Sequence, residues 1–287
     1  MKLGLGIGLH QEDADQWTRR GLRFLNKPSS VRCGVTDGTG DVFRLGAIDD
    51  YEGDGQFSLS FHFLCTAQPA AATFMHIGDP ASGALVEFAW GSSTPAIFPQ
   101  IKVWGDGSYT GMKGLTGAAT QAGNHHPNMK TGQDGLNKWY CAQVRWDKTA
   151  NSGAREYRIA TNVNSDTDYD TTVDAVGNWR HGSTDTNNIS ALTNKDAAIG
   201  GYYSGALGSL ISSEPMKFAN IGIWNRKLTD HECNLLASGI EASEIQSASL
   251  KHYWSLNGTL NDAGTASSRD DMDATAVGDA ATNSVVL

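Results

Sequence analysis

Alternation between apolar and polar positions recurs along the chain and predicts a succession of β-strands. The clearest case is QFSLSFHFLC at 56–65, whose aromatic and aliphatic residues share one face while Ser58, Ser60 and His62 share the other. Further strands are predicted at ALVEFAW, IFPQIKVW, KWYCAQVRWD, REYRIATNV, AAIGGYY and ANIGIWN. The spacing of these segments, with turn residues between them, favours an antiparallel sandwich over alternating strands and helices.

One helix is strongly predicted, at LTDHECNLLAS. Thr229 and Glu232 have the spacing of a capping box, in which each side chain accepts a hydrogen bond from a free backbone amide of the other residue. Gly239 follows as a stop signal. A second short helix is a candidate at EASEIQSA. A single short helix after the last long strand fits the packing of two strand layers.

The chain opens with MKLGLGIGLH, in which glycine alternates with the aliphatic residues Leu3, Leu5, Ile7 and Leu9. A dinucleotide-binding loop needs the spacing G-x-G-x-x-G, and a signal peptide needs a longer apolar centre. Period-two spacing instead predicts a strand with one aliphatic face and one bare face. We expect it to act as an attachment arm that adds to the sheet edge of a neighbouring subunit.

Composition agrees with one large β domain carrying short additions. The 287 residues include 33 glycines, and only 18% are charged, which suits strands joined by many turns. We place the arm at 1–30, the sandwich at 31–240 and a C-terminal strand and turn element at 241–287. A net charge of −9 and the lack of any long apolar run predict neither nucleic acid nor membrane as a partner.

Four cysteines are widely spaced and form no C-x-x-C motif: Cys33, Cys65, Cys141 and Cys233. A domain of this size does not need a disulfide framework for stability. Cys65 also continues the apolar face of its strand. We therefore expect reduced, buried thiols.

The segment ANIGIWNRKLTDHECNLLAS resembles the last core strand and following helix of laminin-G-like members of the concanavalin A-like jelly-roll superfamily. The matching residues are Ile221, Ile223, Trp224, Asn225, Arg226, Leu228, Thr229, Asp230 and Glu232. Three other segments, DGTGDVFRLG with GQFSLSFHF, NKWYCAQVRWD and AAIGGYYSG, resemble further family strands in the expected order. The resemblance covers about residues 31–240 and implies an all-β, two-sheet antiparallel jelly-roll sandwich with one short helix after the last core strand.

The tail also carries a resemblance. HYWSLNGTLNDAG and DDMDATAVGDA are similar to an element that accompanies such domains, and its position after the jelly roll resembles tailed-phage structural proteins. This implies a non-enzymatic virion protein, a capsid decoration or fibre component, assembled in the host cytoplasm. Its expected partners are other virion subunits, further copies of itself, with a trimer favoured, and a host surface glycan. The alternatives are a free lectin-like carbohydrate-binding module and, third, a glycoside hydrolase.

Hydrolysis has little support in the residues. A retaining glycosidase needs two carboxyl groups about 5 Å apart, and the E-x-D-x-x-E motif of the superfamily's glucanases is absent. The adjacent His125 and His126 are interpreted as a solvated loop pair, since a metal would need further ligands. We therefore expect no catalytic residues.

No cofactor is expected, and calcium is the metal to consider because it prefers hard oxygen ligands at alternate positions. Asp166, Asp168 and Asp170 in NSDTDYD are candidate ligands, as are two other acidic turns. Aspartate also stabilises turns by local hydrogen bonds, so these clusters are equally explained as turns.

Aromatic residues near turns are candidates for stacking on sugars. Tyr202 and Tyr203 lie in a glycine-rich turn where both rings are hard to bury, and we identify them as candidate glycan-binding residues. Trp146, Trp224 and Trp254 lie in strand patterns and are interpreted as core.

Overall fold

The structure, a computed structural model, places two antiparallel sheets face to face. It describes residues 32–48, 55–70, 72–80, 85–93, 96–103, 110–111, 129, 131–132, 135–147, 154–161, 180–184, 196–204, 209–261, 274–278 and 280–285. The strands are, in chain order, Arg32–Asp37 (β1), Val42–Ala47 (β2), Gln56–Cys65 (β3), Thr73–Ile77 (β4), Val86–Ser93 (β5), Ala96–Val103 (β6), Thr110–Gly111 (β7), Tyr140–Asp147 (β8), Ala154–Thr161 (β9), Arg180–Thr184 (β10), Asp196–Ile199 (β11), Gly201–Ser204 (β12), Ser209–Ser213 (β13), Pro215–Trp224 (β14), Leu250–Trp254 (β15), Thr275–Val277 (β16) and Ala281–Val285 (β17). One α-helix, Asp230–Ala237 (α1), follows β14.

The strands form two large sheets and a small hairpin. Sheet A has the order β10-β9-β8-β3-β14-β1-β17, and β15 pairs with the C-terminal part of β14. Sheet B has the order β16-β2-β11-β4-β5-β6-β7, and β12 pairs only with β13. Strands that follow one another in sequence are often not adjacent in a sheet, because many strand pairings join segments that are distant in sequence. The predicted all-β, two-sheet antiparallel sandwich with one short helix after the last long strand is confirmed.

The main core lies between the sheets. Alternate residues of β3 face it, beginning with Phe57, and they meet aromatic residues of sheet B. The Phe61 ring meets Phe88 edge-on at 5.0 Å between centroids, and Phe63 lies 5.6 Å from Phe74. Close aromatic packing of this kind adds to the free energy gained by burying apolar area.

Trp90 belongs to this core as well. It ends the predicted strand ALVEFAW, and in the structure it lies inside β5, is almost fully buried and stacks on Phe74 at 4.4 Å between centroids. β5 therefore continues past the predicted end of that strand.

A second, smaller core lies on the outer face of sheet A, beneath α1. It joins Trp224 of β14, Leu236 of α1 and the segment that follows the helix. Gly222 makes this approach possible, since a Cβ there would lie 2.4 Å from the Trp224 ring and 2.6 Å from Ala242. The Trp224 indole N–H donates to the Ile245 carbonyl at 2.8 Å, which fixes the chain after the helix.

Helix α1 begins with the predicted capping box. The Thr229 hydroxyl accepts from the Glu232 N–H at 3.3 Å, and the Glu232 carboxylate accepts from the Thr229 N–H at 2.8 Å. Gly239, with φ of +99°, follows its end. The segment EASEIQSA forms two short 3₁₀ turns, Ala242–Glu244 and Ser247–Ser249, rather than an α-helix, and Gln246 between them has a left-handed backbone.

The segment 241–287 contributes strands to both sheets. β15 pairs with β14 and β17 with β1 in sheet A, while β16 pairs with β2 in sheet B. β16 and β17 are the end strands of their sheets. All four cysteines are buried and none of them is in a disulfide bond, as predicted.

Candidate functional site

The outer faces of the two sheets carry the polar clusters from which a site can be built. On sheet A, the side chains of β3, β8 and β9 that point away from the main core are polar yet buried. Gln143, Arg145, Glu156 and Arg158 form what we call the arginine layer. A buried charge is costly unless it is paired, so the partners of these groups decide what the layer does.

The Arg145 guanidinium donates a hydrogen bond from each of its three nitrogens. Its Nε–H donates to Glu156 Oε2 at 2.6 Å, its Nη1 to the Leu228 carbonyl at 2.8 Å and its Nη2 to Asp230 Oδ1 at 2.5 Å. Lys227 Nζ lies 3.1 Å from the same Glu156 oxygen. One guanidinium therefore ties β9 to the residues that open α1.

Arg158 repeats this arrangement one strand further out. Its Nε–H donates to Gln143 Oε1 at 2.5 Å, and its Nη2 donates to Asn234 Oδ1 of α1 at 2.9 Å. The Gln143 amide in turn donates to the Cys233 carbonyl at 2.7 Å. Gln143, Arg145 and Arg158 each donate to a residue of the helix, so the layer anchors α1 to the sheet.

The remaining groups under α1 are neutral. Burial lowers the pKa of His62 to about 3, and it raises the pKa of the Cys141 thiol to about 12 and of the Cys233 thiol to about 11. Neither thiol is a ready nucleophile, because the thiolate is the reactive form. This face of the molecule is structural.

Sheet B presents a different outer face. The strand register places Arg44 of β2, Ala198 of β11, His76 of β4 and Glu87 of β5 side by side across four strands. Cross-strand partners point to the same face, and Phe43 and Ile77, the chain neighbours of Arg44 and His76, face the main core. This row therefore lies on the side of sheet B away from sheet A.

A two-stranded hairpin, formed by β12 and β13 and called here the tyrosine hairpin, packs on this row. It begins immediately after β11, where Gly200 has φ of +99° and turns the chain out of sheet B. Gly201 is required because a Cβ there would lie 2.0 Å from the Ser212 carbonyl oxygen of β13. The register shifts between Tyr202 and Tyr203, so two adjacent tyrosines both reach the sheet.

Both tyrosines are held by groups of sheet B. The Tyr202 hydroxyl donates to Asp79 Oδ1 at 2.5 Å, and its ring meets His76 edge-on at 5.3 Å. The Tyr203 N–H donates to His76 Nε2 at 3.3 Å, and the Arg44 guanidinium lies 4.3 Å above the Tyr203 ring centre. Both rings remain half-exposed. The site thus combines two oriented rings, a cation and a carboxylate.

His76 is the support of this site. Its Nδ1–H donates to the Gly78 carbonyl at 2.7 Å, and its Nε2 accepts the Tyr203 amide, so both ring nitrogens are used. Burial lowers its pKa to about 4, against smaller upward effects from Gly78 and Asp79. The imidazole is therefore neutral at physiological pH and positions the hairpin.

The structure brings Tyr202 and Tyr203 together with Arg44, His76 and Asp79, which sequence reasoning did not identify. The partners come from strands far away in sequence, and only the sheet register joins them. One signal was present: Arg44 and His76 interrupt otherwise apolar strands, VFRLGA and TFMHI.

Other predicted site residues lie outside the described residues. These are the arm residues Leu3, Leu5, Ile7 and Leu9 and the calcium candidates Asp166, Asp168 and Asp170. Within the described ranges, no group of three or more His, Cys, Asp or Glu side chains is placed to hold a metal ion. Nor does this part of the chain contain a helix of the length and apolarity that a membrane crossing requires.

Comparison with known proteins yields structural similarity alone. No family model matches the chain, and no curated protein matches it. A heptameric SAP-like pentraxin from Limulus polyphemus is 10% identical, with a TM-score of 0.42 over 77% of this chain and 84% of the pentraxin. A Bacteroides ovatus protein described as carbohydrate-binding is 13% identical, with a TM-score of 0.49 over 91% of this chain and 63% of that protein.

A third structure, the enzymatically active domain of tailspike protein 2 from bacteriophage CBA120, is 13% identical, with a TM-score of 0.43 over 84% of this chain and 35% of the tailspike chain. Similarity at this level concerns the fold and transfers no ligand or activity. The fold itself, a two-sheet antiparallel sandwich, rests on the strand order of the protein's own two sheets.

Proposed function

We propose that this protein is a non-enzymatic recognition domain that binds a saccharide at the tyrosine hairpin. The observation that carries the proposal is the pair of half-exposed rings, Tyr202 and Tyr203, each fixed by a polar contact to sheet B. Sugars are bound by aromatic rings that cover their apolar faces and by a few fixed polar groups that orient their hydroxyls. Rings already held in place lose little entropy on binding.

The same geometry supports binding without turnover. A general acid or base needs a free ring nitrogen or carboxyl oxygen within reach of the substrate. His76 uses both of its nitrogens, and the Glu87 carboxylate accepts from the Thr73 hydroxyl at 2.6 Å beneath the surface. A glycoside hydrolase therefore remains the weaker alternative.

The role in a particle rests on the sequence resemblance. On that basis we propose a phage virion component, a capsid decoration or fibre subunit, whose partners are other virion subunits and further copies of itself. A free lectin-like module is the alternative. Light scattering of the purified protein separates them: a stable trimer supports the virion role, and a monomer that binds sugar favours the free module.

The binding proposal is tested on a glycan array with the wild-type protein and the double variant Tyr202→Ala/Tyr203→Ala. We expect wild-type binding to a restricted set of glycans and loss of that binding in the variant. Ile211→Ser on β13 is the matched control, since its side chain is 50% exposed on the same hairpin and touches neither tyrosine's partner. Equal binding by the double variant and the wild type would contradict the proposal.

A further inference from the structure

We infer that the saccharide bound at the tyrosine hairpin is acidic, and that Arg44 binds its carboxylate. This inference rests on the proposed function and goes beyond it by naming the class of ligand. It is carried by how the arginines of the described chain are paired and by the position of Arg44 above the Tyr203 ring.

Three other arginines of the described chain have polar partners. Arg145 pairs with Glu156 and Asp230, and Arg226 Nη2 lies 3.0 Å from Glu232 Oε2. Arg158 donates to two side-chain amide oxygens. Each of these guanidinium groups is satisfied within the fold and has little left to offer a ligand.

Arg44 differs from them. No carboxylate among the described residues pairs with it, and its described contact is the face of the Tyr203 ring. Stacking uses the flat face of a guanidinium and leaves the in-plane N–H groups free to donate. Those groups form a planar fork that matches the two oxygens of a carboxylate.

The neighbours of Arg44 in the sheet do not compete for this fork. Its cross-strand partners are Ala198, with only a methyl group, and Thr275, with an uncharged hydroxyl. Asp79, the carboxylate of the site, accepts the Tyr202 hydroxyl. Among the described residues, the positive charge of Arg44 is therefore held over the Tyr203 ring without a fixed counter-charge.

The composition of the site favours a sugar acid over a polyphosphate. The chain carries a net charge of −9, which repels any polyanion at long range, so binding has to come from contacts within the site itself. A single cation beside two aromatic rings suits a pyranose ring that carries one carboxylate, as uronic and sialic acids do. The expected ligand is a surface polysaccharide rich in such residues.

The test uses matched polymers that differ only in charge. Polygalacturonate, alginate and polysialic acid are each immobilised beside their carboxyl-reduced counterparts, and binding is measured for wild type, Arg44→Gln and Arg226→Gln. We expect the wild type to bind at least one acidic polymer about tenfold or more tightly than its reduced form. Arg44→Gln should remove that preference, while Arg226→Gln, at a half-buried arginine between β14 and α1, should keep it.

The outcomes separate the two proposals. If wild type binds acidic and reduced polymers equally and Tyr202→Ala/Tyr203→Ala binds neither, the saccharide site stands and the inference about charge is wrong. If Arg44→Gln retains the preference, Arg44 is not the carboxylate-binding group. If the wild type binds no polymer of either kind, both the site and the inference are contradicted. Matching thermal unfolding of the variants excludes loss of the fold as the cause.

Discussion

The outer faces of the two sheets both carry buried polar side chains, but one face is covered by a helix and the other by a β-hairpin. On sheet A, a helix covers buried arginines and supplies the carboxylate and carbonyl groups that satisfy them. On sheet B, a two-stranded hairpin covers a buried histidine and leaves an arginine and two tyrosines half-exposed. Where the covering segment supplies hydrogen-bond acceptors, as α1 does, the arginine anchors that segment to the sheet. Where the covering segment supplies an aromatic ring, as the tyrosine hairpin does, the arginine can donate to a ligand.

The histidines show the same contrast on a smaller scale. His62 under α1 and His76 under the tyrosine hairpin are both buried, and burial keeps the pKa of each well below its ordinary value. His76 accepts the Tyr203 N–H of the hairpin through Nε2 and donates to the Gly78 carbonyl through Nδ1. Both imidazoles are therefore neutral at physiological pH.

Replacing an arginine by methionine on each of the two outer sheet faces should give the largest difference in unfolding free energy. Arg145→Met leaves the buried Glu156 without its 2.6 Å guanidinium partner and frees the start of α1, so we expect a loss of about 3 kcal/mol in unfolding free energy. Arg44→Met removes a ring contact at a half-exposed position and should cost no more than about 1 kcal/mol. Urea denaturation of both variants measures this. Similar losses would show that the two faces do not differ as we describe.

The second prediction concerns the junction between the tyrosine hairpin and sheet A. Glu214 links β13 to β14, is fully buried, and accepts the Ala70 N–H at 3.0 Å through Oε2, while Oε1 has no hydrogen-bond partner among the described residues. Burial raises its pKa to about 8, against the smaller opposing effect of that hydrogen bond. The unfolded chain releases this proton near the ordinary value of about 4.5, so stability is lost as pH rises from there to about 8.

Glu214→Gln keeps the shape of this side chain and removes the titration. We expect the variant to be roughly 2 kcal/mol more stable than wild type at pH 8, with the advantage vanishing near pH 4.5. Thermal unfolding at both pH values measures it. Glu244→Gln, at an exposed position, should give no such gain, and a pH-independent effect of Glu214→Gln would refute the assignment.

The third prediction concerns the cover of sheet A. Thr229→Ala removes the acceptor of the capping box and should cost about 1 kcal/mol, because an N–H at the start of α1 loses its partner. His231→Ala, exposed in the first turn of the same helix, should stay within about 0.5 kcal/mol of wild type. Equal effects from the two changes, measured in urea, would mean that tertiary contacts alone hold the helix.

Local patterns predict the elements of this fold well. The alternation in QFSLSFHFLC matches β3 residue for residue, and the Thr229–Glu232 spacing locates α1. Both signals depend on neighbours in sequence. The burial of both faces of β3 could not be predicted, since Ser58, Ser60 and His62 are polar and their cover comes from a helix about 170 residues later.

Only the two tyrosines of the candidate site could be predicted from the sequence. Tyr202 and Tyr203 stand out because a glycine-rich turn cannot bury two adjacent rings. Arg44 and His76 become part of the site through the pairing of β2, β11 and β4, and the long-range register of a sheet is not written in any single strand. Short edge strands such as β16 are also hard to recognise in the sequence, because a strand at the edge of a sheet needs to bury little apolar area.

The smallest effect on stability tests whether the tyrosine hairpin is a recognition surface or merely a cover. Tyr202→Phe removes the hydroxyl that donates to Asp79 and keeps the ring against His76. One half-exposed hydrogen bond contributes about 0.5 kcal/mol, so unfolding should change little. Saccharide binding should weaken only a few-fold in Tyr202→Phe and disappear in Tyr202→Ala, because the ring supplies the stacking and the hydroxyl only orients it. If Tyr202→Ala retains binding, or loses it only together with the folded hairpin as measured by near-UV circular dichroism, the tyrosine is a structural clamp and its ring is not the stacking surface.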